Sequence, residues 1–177
     1  YCIGADGMVS TVVLLSKVPL DDIRTVKLDP NSRTSNVLVQ ILAQKLWHRE
    51  WQFYEKENGV VPEACVMIGD QVFEQKSKYP YHFDLADAWK ELTDLPMVFA
   101  VWIARPGMPV QVIRQIDSAF EAGWNEVKNG SAPLESWQSE YLLNHISFPF
   151  DGRKREALQL FRSWAQDMLP VTTSRLA

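Results

Sequence analysis

From Met8 to Ser16 the chain is a run rich in aliphatic and β-branched residues, relieved by the hydroxyls of Ser10 and Thr11 and closed by Ser16, a pattern that predicts a buried strand. Val18-Pro19-Leu20-Asp21-Asp22 breaks the run, and Thr25 to Asp29 reads as a second, shorter strand. Pro30-Asn31 forms a turn that delivers the chain to Ser32, a good N-cap. Behind it Val37, Leu38, Ile41, Leu42 and Leu46 recur at helical spacing, which predicts a helix with one apolar face against a sheet. Trp51 to Tyr54 reads as a strand before a Glu55–Gly59 loop, and Ala64 to Gly69 as a clear strand ended by Asp70. Asp70 to Phe73 opens a short helix. Asp84 to Leu92 is a further helix with Leu85, Ala88, Trp89 and Leu92 inward, and Leu95 to Ala104 a core strand. This order of strands and helices predicts an α/β fold with a mainly parallel sheet and crossover helices.

After Pro106-Gly107-Met108-Pro109 the pattern turns wholly helical, with helices predicted from Val110 to Lys128, Leu134 to Asn144 and Arg153 to Met168. Asp151-Gly152 is the turn before the last. These helices have apolar faces but no strands of their own to cover, which points to a missing partner segment and leaves a homodimer open. Tyr1-Cys2-Ile3-Gly4 carries no initiator Met, signal peptide or capping signal, so the chain is expected to begin in mid-protein.

Composition narrows the class. At 177 residues, 46% hydrophobic and 23% charged, the chain can build an ordinary core and is not disordered. The formal charge of −4 comes with scattered basic residues, the richest group being Arg153-Lys154-Arg155, which speaks against nucleic acid as a partner. No apolar run is long enough to span a membrane. Cys2 and Cys65 sit in apolar surroundings without CxxC spacing and read as buried free thiols, consistent with the cytoplasm. His48, His82 and His145 are far apart and unpaired with other ligands, so no metal site is expected. Without a nucleophile elbow, P-loop or dinucleotide fingerprint, acyl transfer, phosphoryl transfer and nicotinamide chemistry lose their usual supports.

The chemistry concentrates at strand ends. In Ser32-Arg33-Thr34-Ser35 the first backbone N–H groups of a helix lack intrahelical partners, the dipole is positive, and the hydroxyls of Ser32, Thr34 and Ser35 add donors. That is a site for a carboxylate; the competing reading is plain N-capping by Ser32. Asp70, after Ile68-Gly69, is either an acceptor or base at a strand end or the N-cap of the next helix. Ser10 and Thr11 either face a cleft or satisfy neighbouring backbone. Trp102, ending a strand beside Arg105, is the tryptophan that stands apart from core packing.

Several stretches together resemble one family, the MqnA-type chorismate dehydratases of menaquinone biosynthesis by the futalosine route. They are Ile3-Gly4-Ala5-Asp6-Gly7 leading to Ser10-Thr11-Val12, Leu28 to Ser35, Ile68-Gly69-Asp70, Phe83-Asp84-Leu85 with Ala88-Trp89, Leu95 to Trp102, and Tyr141-Leu142-Leu143. The order and spacing agree across nearly the whole chain. The Pro96 to Trp102 stretch favours the dehydratase over its sister, the dihydroxynaphthoate synthase. The resemblance implies a two-lobed fold like a type II periplasmic binding protein, with residues 5–98 as the second lobe and residues 99–177 as the returning strand and helices of the first. It also implies that an N-terminal segment forming the start of the first lobe is absent here. The implied protein is a cytoplasmic lyase without cofactor or metal, holding chorismate through Ser32, Thr34, Ser35, Ser10, Thr11 and Asp70, with no general base assigned. The alternatives are a non-catalytic binding protein for a small carboxylated metabolite and an inactive truncation of the enzyme. Asp94 for Gly, Met97 for Phe and Ala86 for Gly depart from the family's usual residues.

Overall fold

A computed structural model describes residues 1–55, 59 and 61–168. Most of the predicted Glu55–Gly59 loop, residues 56–58, lies outside the described residues, as does the 169–177 end of the returning segment.

In chain order the strands are β1 (Cys2–Ala5), β2 (Val12–Ser16), β3 (Thr25–Lys27), β4 (Gln52–Tyr54), β5 (Ala64–Ile68), β6 (Tyr81–Asp84) and β7 (Met97–Val101). The α-helices are α1 (Arg33–Lys45), α2 (Gln71–Gln75), α3 (Leu85–Thr93), α4 (Val110–Lys128), α5 (Ser136–Asn144) and α6 (Gly152–Met168). Five strands form one sheet in the order β4-β3-β5-β2-β6, and β1 pairs with β7 in a second, two-stranded sheet.

The fold is α/β, but the main sheet is mixed rather than mainly parallel. The pairs β4–β3 and β3–β5 are parallel, whereas β2 is antiparallel to both β5 and β6 and is the one strand that runs against the rest. β6 is a short Tyr-His-Phe-Asp strand that the local pattern does not predict; pairing with β2 supplies what its own sequence does not, and the chain reaches it from β5 by crossing over β2 through α2. The N-terminal Cys2–Ala5 segment is likewise a strand only because β7 lies beside it. Gly4 is required there, since a Cβ would sit 2.7 Å from the Met97 carbonyl oxygen.

Alternation along β2 separates two apolar layers. Leu14 enters the larger core with Leu38, Ile41 and Leu42 of α1 and Leu85 and Trp89 of α3, while Val13 and Leu15 meet Cys65 and Val72 on the opposite face. Both cysteines are free and buried. The last helix returns to the larger core: Phe161 and Trp164 of α6 pack edge-on against Trp89, with ring centroids 5.9 and 5.5 Å apart. The Leu95–Ala104 strand is shorter than its apolar run, because Trp102 and Ile103 are exposed beyond β7. Asp94, where the resemblance has glycine, sits at the C-terminus of α3 with φ 56°, the left-handed conformation in which glycine is favoured. Lys90 reaches its carboxylate at 3.0 Å. Among the described residues, no helix is long and apolar enough to cross a membrane.

Candidate functional site

The mixed topology gathers the polar strand ends on one edge of the main sheet. Parallel β3 and β5 deliver their C-terminal ends there, and antiparallel β2 delivers its N-terminal end, in a register that pairs Val12 with Ile68 and Val13 with Asp84. The Asp29–Ser35 loop, Gly69-Asp70, Ser10-Thr11 and Asp84 therefore share an edge. In the parallel sheet expected from the pattern, the start of β2 would lie at the far end. Two strand spacings put the Ser10 turn and the Asp29 loop about 10 Å apart.

Asp29, buried at 4% exposure, braces the first loop. Its carboxylate accepts from the Asn31 N–H at 2.8 Å and from Gln71 Nε2 at 3.1 Å. Asn36 closes the brace, accepting the Asp29 N–H at 2.9 Å and donating to its carbonyl at 2.8 Å. Sequence reasoning treated Asp29 only as a strand end, although an Asp followed by Pro-Asn is a turn-forming signal in its own right.

Ser32 is the N-cap of α1: its Oγ accepts the Ser35 N–H at 3.2 Å and donates to Ser35 Oγ at 2.7 Å. Two of the three hydroxyls in this run are thus engaged with each other, and Ser35 is buried. The Thr34 hydroxyl is half-buried and has no hydrogen-bond partner among the described residues, and Arg33 is exposed. Donors left for an incoming anion are the first-turn N–H groups of Arg33 and Thr34 and the Thr34 hydroxyl.

Gly69 turns the chain with φ 70°, and its N–H donates to the Thr11 carbonyl at 2.8 Å, locking the ends of β5 and β2 together. Asp70 is exposed and stands at the N-cap position of α2, as the alternative reading has it, but its side chain makes no capping hydrogen bond and its carboxylate remains uncommitted. An anionic group suits ligand hydroxyls rather than a ligand carboxylate.

Ser10 and Thr11 precede β2 instead of lying within it, which corrects their predicted place in a strand. Ser10 has φ 66°, and this turn is held by Asp84, whose Oδ2 accepts the Val9 and Ser10 N–H groups at 3.1 and 2.6 Å. The other oxygen of Asp84 caps α3, accepting from Ala86 and Asp87 at 3.0 and 3.1 Å. Burial pushes this carboxyl above the ordinary carboxylate pKa, against the downward pull of its four N–H donors. The Ser10 hydroxyl has no partner among the described residues. Thr11 is buried, and its Oγ1 lies 2.5 Å from the hydroxyl of Tyr141 on α5. Trp102 does not reach this edge; it packs against Phe120 of α4, ring centroids 4.8 Å apart.

A cavity of 680 Å³ opens on the face of the main sheet where Cys65, Met67 and Tyr79 lie, and meets the polar edge at Asp29–Asn31 and Gln71. Within it the Cys65 thiol donates to Tyr79 at 3.4 Å; that hydrogen bond and burial push the Tyr79 hydroxyl up to about 12. The candidate site is the edge, because the uncommitted backbone donors, hydroxyls and the Asp70 carboxylate gather there. Asp84 and Tyr141 are the residues at the candidate site that sequence reasoning passed over. Both stood within matched stretches, but nothing in a local pattern reveals contacts to Ser10 and Thr11 so far along the chain.

A family sequence model described as menaquinone biosynthesis matches residues 1–167.

Proposed function

The chain belongs to the menaquinone biosynthesis family, and on that premise we propose that it is a hydro-lyase that removes water from chorismate to give 3-[(1-carboxyvinyl)oxy]benzoate. The observation that carries this reading is the convergence of four strand ends on one edge, with donors not used by the protein itself. Chorismate bears two carboxylates and a ring hydroxyl. The Arg33 and Thr34 N–H groups and the Thr34 hydroxyl bind one carboxylate at the positive end of the α1 dipole, with Ser32 and Ser35 holding that turn in shape. The Ser10 hydroxyl serves the other end of the ligand, across a span that a ring with two acidic substituents can bridge. Asp70 orients the ring hydroxyl as a hydrogen-bond acceptor.

Loss of a ring proton and the hydroxyl makes the ring aromatic, so the protein's task is to hold the substrate, exclude water and stabilise developing charge. No cofactor enters this chemistry. The proposal retains a two-lobed, periplasmic-binding-protein-like arrangement in the cytoplasm. Residues 5–98 carry the site, and the returning segment 99–177 reaches it through Tyr141.

Incubating the protein with chorismate and identifying the product by liquid chromatography and mass spectrometry tests the reading. The expected result is accumulation of the aromatic enol ether with loss of one water. Tight binding without any product would overturn the lyase and leave a binding protein for a carboxylated metabolite.

A further inference from the structure

We infer that Tyr141, and not Thr11, is the hydroxyl that contacts the ligand at the β2 end of the site, with Thr11 acting as the positioning residue behind it. The inference rests on the proposed chorismate site and concerns which side chain donates there.

Thr11 is only 6% exposed, and its hydroxyl is committed to Tyr141 at 2.5 Å. Its backbone is fixed as well, since its carbonyl accepts the Gly69 N–H. Tyr141 is half-buried. Its ring stacks on His145 with centroids 5.8 Å apart and planes at 28°, and Nδ1 of His145 lies 3.1 Å from the Met8 carbonyl oxygen. The phenol is thereby tied to the Met8–Thr11 segment at two points, although the helix that carries it comes from the far end of the chain.

The two hydroxyls hold two protons, and their contact uses one. A buried threonine cannot turn its proton to an incoming ligand, whereas a half-buried phenol can, and a phenol is the stronger donor to an anion. Thr11 therefore donates to Tyr141, and Tyr141 donates outward to a carboxylate oxygen. Accepting a hydrogen bond while donating another strengthens the second bond. Asp84 does not compete for the phenolic proton, because each of its oxygens already accepts two N–H groups. Burial raises the Tyr141 pKa against the downward pull of the Thr11 hydrogen bond, with smaller upward contributions from the charges of Asp70 and Asp84, and the donor stays protonated.

The test measures chorismate affinity by calorimetry, and KM and kcat by product formation, for the wild type, Y141F, T11V, T11S and the Y141F/T11V pair. Y141F is expected to weaken binding about tenfold or more, as for loss of a hydrogen bond to a charged group, with the change in KM rather than kcat. T11V weakens it less, T11S restores wild-type affinity, and the double variant is no worse than Y141F alone. A Y141F protein that binds as tightly as the wild type overturns the assignment while leaving the proposed function standing. A T11V/Y141F pair whose losses add does the same, since independent contributions exclude the relay. Should Y141F not fold, T11V against T11S carries the test, and equal affinities in the two overturn it. A folded wild type that does not bind chorismate overturns this inference and the proposed function together.

Discussion

Asp84→Asn is expected to lower folding stability by about 3 kcal/mol, because two charge-assisted hydrogen bonds are lost and two N–H donors are left facing another donor. The wild-type carboxylate accepts two N–H groups on each oxygen, Val9 and Ser10 on one side and Ala86 and Asp87 on the other. Asparagine offers one oxygen and one NH₂, so either the Ser10 turn or the start of α3 loses its acceptor whichever way the amide turns. The Ser10 turn is the more vulnerable, since Ser10 at φ 66° occupies a conformation that needs support from its surroundings. Urea unfolding read by far-ultraviolet circular dichroism measures the loss, and chorismate affinity is expected to fall with it. A change under about 1 kcal/mol would show that one oxygen suffices and that the clamp does not shape the site.

Trp89→Ala is the second large effect, with an expected cost of about 4 kcal/mol, as for a large aromatic removed from a packed core. Trp89 is fully buried and joins α3 to α6 through edge-on contacts with Phe161 and Trp164. Lys45 of α1 lies over the Trp164 ring at 4.8 Å, so α1, which carries the Ser32–Ser35 turn, rests against the same cluster. Truncation opens a cavity under both helices. Trp89→Phe keeps an aromatic ring and discards an indole N–H that is buried without a partner among the described residues, so it should cost less than half as much. Comparable losses in the two variants would point instead to an essential role for the full indole.

Local patterns revealed the elements whose periodicity is long enough to read. The spacing of Leu38, Ile41 and Leu42 predicted α1 and its buried face, and Ser32 was legible as its start because capping is a matter of a few neighbouring residues. Strand direction was not legible. Whether β2 runs with or against β5 depends on pairing between distant segments, and the four residues of β6 are too few to show their alternation. That misreading mattered for the site, since only the antiparallel placement of β2 brings Ser10 and Thr11 beside Asp70. The same distinction separates Thr34, visible as a hydroxyl at a helix start, from Tyr141, whose place beside Thr11 arises from one long-range contact. Thr11 is legible in the sequence as a hydroxyl next to an apolar run, but its burial beside Tyr141 is a property of packing that its neighbours in the chain do not encode.

The central claim, that a carboxylated metabolite binds at the shared edge of β2, β3 and β5, is tested most directly by titrating the uniformly ¹⁵N-labelled protein with chorismate and following its amide resonances. The predicted result is a saturable set of shifts centred on the amides of Ser10, Arg33, Thr34, Gly69 and Asp70. Shifts centred instead on Lys17, Cys65 and Tyr79, around the 680 Å³ cavity on the sheet face, would contradict it.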